Sequence, residues 1–441
     1  MNSERFCISV ARTFWLVLLA LLMSCAVSAQ TAGLGGEWVL AQDVYGNTLY
    51  RRLTLKVDGR TISGAINRQT IEGTADGNAV HFVARGDRST DEFDGVLENG
   101  ALSGTLVHTQ SDDPKTTKST WTARRTPSRQ PGPPARHEFV PSAFQRLFSA
   151  TIPPVLHVWP GDTVHTTTVD AAGIDETGAA RVLGGNPQTG PFYVETAMPG
   201  DVLAVKLTRV RLNRDWAISD DAMMSRAMDS DLAVKMKDAG KSVRWKLDRQ
   251  RGVATPDVDS ERLKNFSVPL RPMLGCIAVA PGFAQAAMGT GDSGRFGGNM
   301  DFNEIVEGTT VYLPVGQPGA LLYVGDGHAA QGDGELNGNA LETSMEVEFT
   351  VDVVRTKSIA TPRVESATHI MTVGLGGTLE DGLRAATGGL SQWLEQEYAF
   401  TPSEIAIVLG SSVEYTIGEV ADRNVGVGAK LRKDRLAPLK R

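Results

Sequence analysis

Cysteine is scarce in this chain: three residues in 441, at positions 7, 25 and 276. A disulfide framework is therefore excluded for all but the first few dozen residues. Cys276 sits in Gly275-Cys-Ile-Ala-Val-Ala280 with no cation nearby to lower its pKa, so it reads as a buried small hydrophobe rather than a nucleophile. Positive charge is also in the minority. The 44 Lys and Arg stand against 51 Asp and Glu, a net charge of −7, and nothing in that balance favours a nucleic-acid partner.

Long apolar runs are lacking as well. The longest, Phe14 to Met23, is shorter than the ~20 residues a spanning helix needs, so no membrane span is expected. Arg5 and Arg12 precede that run and Val27-Ser-Ala29 closes it, the pattern of a secretory signal cleaved after Ala29. The expectation is an exported, soluble, periplasmic protein. Leu22-Met-Ser-Cys25 approximates a lipoprotein box, which keeps lipid anchoring through Cys25 as a minor alternative.

Glycine, by contrast, is plentiful at 47 residues, with 41% hydrophobic and 22% charged residues around it, a composition that fits a turn-rich globular protein with many short strands. Single cores stop growing near ~250 to 300 residues, so at least two domains are expected. Residues 30–125 alternate with period two in Leu53–Val57, Ile62–Ile66, Val80–Val83, Phe93–Val96 and Leu102–Leu106. Asp58-Gly59, Asp76-Gly77 and Asn99-Gly100 stand at the corners, predicting a small antiparallel β-domain of up-and-down type. No titratable cluster appears in it, so an accessory role is expected. Residues 126–137, with four prolines and a glycine between Thr126 and Pro134, read as an extended linker.

Residues 138–441 alternate strand-like runs with glycine-laden loops. The fold class expected is mainly β, a β-sandwich or barrel-like core. Residues 213–265 read as a long excursion or lid with a short helix near Ser230 to Lys237. Leu379, Leu383, Ala386, Leu390, Trp393 and Leu394 recur at helical spacing behind Thr378 and Asp381, with Gly388-Gly389 as a potential kink. Thr401-Pro-Ser-Glu404 opens a second helix, giving a C-terminal αα-hairpin packed on the sheet.

The chemistry concentrates between Gly325 and Glu342, where Asp326, His328, Gln331, Asp333, Glu335 and Glu342 are interleaved with glycines 325, 327, 332, 334 and 338. Small residues let the backbone turn tightly enough for carboxylates and an imidazole to converge. Such a set suits zinc with an open position; an all-oxygen site would suit calcium or magnesium. The competing reading is a set of solvated polar turns. Gly291-Asp-Ser-Gly294 and Gly410-Ser-Ser412 mimic serine-hydrolase motifs but lack the partners those need, so they read as loops.

The stretch Gly325-Asp-Gly-His-Ala-Ala-Gln-Gly-Asp-Gly-Glu335 resembles the signature of the acetamidase/formamidase family. So do Gly297-Gly-Asn-Met-Asp301 and Thr310-Val-Tyr-Leu-Pro-Val315 with Pro318-Gly-Ala320. Pro160-Gly-Asp-Thr-Val164 leading to Asp170, Asn186 to Pro191, Pro199 to Leu203, Gly275 to Pro281 and Asp422-Arg-Asn-Val-Gly426 extend the likeness over about residues 138–433. The resemblance implies hydrolysis of the C–N bond of small linear amides to carboxylate and ammonia, with a bound divalent metal, zinc first and calcium or magnesium as alternatives. Carried onto this chain, it makes Asp170, Asp326 and His328 metal ligands and Glu335 or Asp333 the water-activating base. Asn299, Asp301, Gln331 and Glu342 become substrate-pocket residues. Many relatives have Glu three places before the aspartate matched by Asp170; here Thr167 stands there, which makes nearby His165 a candidate exchanged ligand. A homo-oligomer is left open, as is a periplasmic binding protein that keeps the metal for structure only.

Overall fold

A computed structural model describes residues 33–439 apart from Asp238 and Thr356. The signal segment, its cleavage point after Ala29 and the Cys25 lipid site lie outside the described residues. These fall into two compact units, divided between Ser128 and Arg129. Among them no helix is long and apolar enough to cross a membrane.

The first unit is a closed barrel of eight antiparallel strands, from Gly36–Val44 to Asp113–Arg125, each paired with the next and the last paired with the first. The turns follow their sequence signals. Asn99 and Gly100, with φ of 50° and 78°, take the two left-handed positions of a tight hairpin, where a β-branched residue would be strained. Every second residue points inward, and Trp38, Phe82, Phe93 and Trp121 fill the interior. Phe82 stacks on Phe93 at 4.8 Å and Trp121 meets both edge-on. Gly95 makes room for this, since a Cβ there would lie 2.6 Å from the Trp121 ring. The indole N–H groups of Trp38 and Trp121 donate to the Leu34 and Thr105 carbonyls, both at 3.0 Å.

The second unit is mainly β. A nine-stranded and an eleven-stranded sheet share one apolar core, with Leu203, Val205, Val347 and Phe349 from the first and Leu274, Ile277, Leu322 and Val324 from the second. Part of the stretch read as a linker is built into this unit: Arg136–Glu138 pairs in parallel with Thr163–Thr167. The cause is Asp162, almost fully buried, which accepts from Arg129 at 2.7 Å, Ala135 N–H at 2.8 Å and Trp159 N–H at 3.0 Å. The excursion expected over 213–265 is largely sheet, since Trp216–Asp220, Ser242–Asp248 and Val253–Pro256 extend the eleven-stranded sheet as a meander. The segment between the first two leaves the sheet and carries the short helix Ser230–Lys235 capped by Asp229, and residues 257–265 form turns outside it.

Helices Leu379–Tyr398 and Pro402–Ser412 form the C-terminal pair. The first runs unbroken through Gly388-Gly389, because Gly389 packs where a Cβ would lie 2.3 Å from Thr361. Thr401 and Glu404 cap the second reciprocally. Ala386, Leu390 and Leu394 press against Val427, Ala429 and Leu431 of the sheet.

Candidate functional site

Four neighbouring strands of the eleven-stranded sheet build the site: Glu342–Thr343, Leu322–His328, Met273–Ala278 and Gly297–Asn299. Glu342 and His328 are direct cross-strand partners, which brings Glu342 Oε1 to 3.2 Å from His328 Nε2. Asp326, two residues before His328, shares its face, and its Oδ1 lies 3.4 Å from the same nitrogen. Asp301, just past the fourth strand, presents Oδ1 at 3.9 Å. Glu335 enters from the loop between His328 and Glu342, close enough for Asp301, His328 and Glu335 to share one ion, as could Asp326, His328 and Glu342.

All five side chains are buried. Asp301, Asp326 and Glu335 hold left-handed φ values of 40°, 60° and 45°, a conformation that costs roughly 1–2 kcal/mol for a residue with a Cβ and clusters at functional sites. The floor is Gly275, where a Cβ would lie 2.2 Å from Asp301 Oδ1 and 2.5 Å from Asp326 Oδ2.

Amides hold one oxygen of several acids. Asn186 donates to Asp326 Oδ2 at 3.0 Å and also bonds Asn299 Oδ1. Asn299 donates at 2.6 Å to both Asp301 Oδ2 and Asp422 Oδ2. The Ala340 N–H ties Glu335 Oε1 at 2.9 Å. Asp301 Oδ1, His328 Nε2 and Glu342 Oε2 are left buried without a hydrogen-bond partner, and one oxygen each of Asp301, Asp326 and Glu342 lies within 3.9 Å of that nitrogen.

Gln331 settles the imidazole's tautomer. Its amide nitrogen donates to the carbonyls of Asp301 (2.6 Å) and Gly418 (3.0 Å), so its oxygen must accept from His328 Nδ1, 2.9 Å away. Nε2 is thereby the atom turned toward the acids.

Among the described residues no Lys or Arg pairs with Asp301, Asp326, Glu335 or Glu342, so protons carry the balance. Burial, reinforced by repulsion from neighbouring acids, pushes Asp301 and Glu335 well above the usual carboxylate range. Burial likewise raises Glu342 to about 7 and Asp422 to about 6. His328 is held well above its ordinary value because attraction by Glu342 and Asp326 outweighs burial. Asp326 alone falls below its ordinary value, since His328 and its hydrogen bonds overcome burial.

Three residues expected here stand elsewhere. Asp170 is buried close by, but Arg214 takes its Oδ2 at 2.6 Å and the N–H groups of Ala172 and Ile174 its Oδ1, so it anchors the site's flank instead of facing its centre. His165 lies on the nine-stranded sheet between Glu138 and Glu346, its Nε2 2.9 Å from Glu346, because its buried neighbours Val164 and Thr166 take the inward direction. Asp333 is exposed and bound at 2.7 Å by both Asn303 and Thr416, which turns it away from the cavity. Glu342, expected beside substrate, lines the cavity and also joins Asp326 and His328 in a group that could hold a metal ion. Asp422, Asn186 and Gly275 had no role assigned from sequence; they lie in matched blocks, and an acid or amide there was the available signal. A cavity of about 770 Å³ opens onto the centre, with Arg146 among its lining residues.

Fold and site together define the second unit as a mainly β protein built around a buried carboxylate–imidazole centre. Residues 282–427 match the Acetamidase/Formamidase family. A predicted acetamidase/formamidase from Thermoanaerobacter tengcongensis is 25% identical, with a TM-score of 0.59 over 69% of this chain and 98% of that one. Acetamidases from Yersinia enterocolitica (29% identical, TM-score 0.59, 93% of that chain) and Bacillus halodurans (26%, 0.58, 100%) match over the same 69% of this chain. A Schizosaccharomyces pombe protein named as a formamidase is 51% identical over 41 residues, 9% of this chain and 10% of that protein's length. The second unit thus resembles the acetamidase/formamidase family, in sequence over residues 282–427 and in fold over 69% of the chain.

Proposed function

We propose that the second unit hydrolyses the C–N bond of a small linear amide to a carboxylate and ammonia, in a metal-dependent reaction, and that the protein is exported. The observation that carries this reading is the convergence of four buried acids and one oriented imidazole at the end of a cavity, within a family whose solved members are named acetamidases.

The donor set fits a divalent cation, because three buried ligand atoms lack a hydrogen-bond partner and, among the described residues, no Lys or Arg pairs with the four acids. Asp326, His328 and Glu342 would hold it, with Asp301 beside them; mixed imidazole and carboxylate ligands favour zinc, with calcium or magnesium as alternatives. When bound, it would polarise the amide carbonyl and ease deprotonation of water.

The chain's own groups supply the rest. Gln331 keeps His328 Nδ1 protonated so that Nε2 faces the centre. Glu335 has a pKa raised by burial, as a group must that takes a proton from water and delivers it to the leaving nitrogen near neutral pH. Asn299 and Asp301 line the cavity where the amide would lie.

Ammonia release from formamide or acetamide tests the reading. A chelator should abolish it and Glu335→Gln should lower it by about 10²–10⁴-fold. Retained activity in the chelator removes the metal from the scheme, and an active Glu335→Gln protein removes the base. Export rests on residues 1–29; recovery of a mature chain beginning at Gln30 from a periplasmic fraction is the expected result, and a cytosolic chain retaining Met1 would refute it.

A further inference from the structure

A second cavity, of about 720 Å³, opens beside the nine-stranded sheet where the helix Leu379–Tyr398 and residues 433–439 meet it; it shares no lining residue with the acidic cavity. Its volume lies within the ~300–1,000 Å³ typical of small-molecule sites.

Arg363 is the group that needs explaining. It is 4% exposed and lines this cavity. Its guanidinium donates to the side-chain oxygens of Gln396 (2.9 Å) and Gln392 (3.2 Å) and lies 4.9 Å over the Trp393 ring. Its Nε is buried with no hydrogen-bond partner. All these contacts are with neutral groups.

The other cations of the lining are already answered. Lys357 pairs with Glu397, and Lys433 with Glu365 at 2.6 Å. Tyr312 completes that arrangement by donating to Glu365 at 2.8 Å. Three positive groups thus face two negative ones, and the surplus charge is the buried arginine's. Its hydrogen bonds go only to neutral acceptors, and the acid that attracts it, Glu397, already pairs with Lys357; a buried cation so placed is costly unless a further anion reaches it, and a planar guanidinium suits a carboxylate. Around it the walls turn apolar, with Ile359, Ile370 and Leu436 buried in the lining.

We propose that this cavity is a second ligand site, which takes a small monocarboxylate with an apolar tail, its carboxylate against Arg363 and its tail among Ile359, Ile370, Leu436 and Trp393. The site is independent of the amide-hydrolysis reading.

Calorimetric titration of the full chain with octanoate, and with 1-octanol as the uncharged probe of equal length, tests it. Octanoate should bind saturably at one site per chain, and 1-octanol about tenfold or more weakly. Arg363→Gln should weaken octanoate by a similar factor. His328→Ala, in the other cavity, should leave octanoate binding unchanged. Ala437→Trp fills the exposed mouth without touching Arg363 and should also block binding, which keeps the test decisive where the buried substitution fails to fold. Absent binding, equal binding of the two probes, unchanged affinity in Ala437→Trp or in a folded Arg363→Gln protein, or loss of binding in His328→Ala would each overturn the proposal.

Discussion

Gly275→Ala is the smallest change that strikes the whole acidic centre at once. The φ of Gly275 lies outside the left-handed region, so alanine suits the backbone, and the effect comes from the methyl group alone. That methyl would lie 2.2 Å from Asp301 Oδ1, 2.5 Å from Asp326 Oδ2 and 2.9 Å from His328 Cε1. Restoring ordinary contact needs the two carboxylates to retreat by roughly 1 Å, a displacement that costs on the order of 10²-fold in rate where reacting groups must be held in place. Overpacking of this kind destabilises by about 1–3 kcal/mol, which the large core of the second unit should survive. Ammonia release from acetamide should therefore fall about 10²-fold, with bound metal reduced, while the folded circular-dichroism spectrum persists. A Gly275→Ala protein with wild-type rate and metal content would show that Asp301 and Asp326 do not converge on a working centre.

Gln331→Leu removes the acceptor at His328 Nδ1 and should weaken metal binding by about 10–100-fold, read by competition with a chromophoric chelator. Asp170→Asn leaves Arg214 buried without its partner and should lower stability by about 3–5 kcal/mol in denaturant titrations while metal stoichiometry stays intact; the reverse pattern would restore Asp170 to the ligand set. His165→Ala should leave both activity and metal content unchanged. In metal-free protein, Asp422, Glu342 and Glu419, a buried acid that accepts from the Asp422 N–H at 3.1 Å, have folded pKa values raised by burial to about 6, 7 and 8, so the protons they hold stabilise the fold below pH ~4 and are lost as pH rises through those values. The Tm of chelator-treated protein should accordingly fall between pH 5 and 8, and excess divalent metal should flatten that fall. A Tm that climbs over this range would contradict the buried-acid account.

Local features of both units were legible in the sequence because their causes are local. The barrel's turns are written in Asn99-Gly100 and its relatives, and the second terminal helix in Thr401-Pro-Ser-Glu404. Closure of the barrel was not legible, since pairing Gly36–Val44 with Asp113–Arg125 depends on strands at opposite ends of the unit. In the site, Asp326, His328, Glu335 and Glu342 lie within a short glycine-rich span, so their convergence could be anticipated. Resemblance was needed to reach Asp301. Asp422 and Gly275 escaped notice because one meets the others only through a long sheet crossing and the other acts by having no side chain. His165 misled because proximity in sequence to Asp170 outweighed a visible counter-signal, its alternation with Val164 and Thr166, whose apolar and small polar side chains face inward.

The pairing of Trp38 with Arg125 has one more consequence. In an antiparallel closing pair the points where the chain enters and leaves the barrel are neighbours, about 5 Å apart. Such a module could be spliced into a surface loop of an unrelated host without prying that loop open. It could equally be circularly permuted by joining its ends with a short peptide and cutting at an exposed hairpin such as Asn99-Gly100. Excision or transplantation of the barrel therefore tests its independence more directly than any substitution within it.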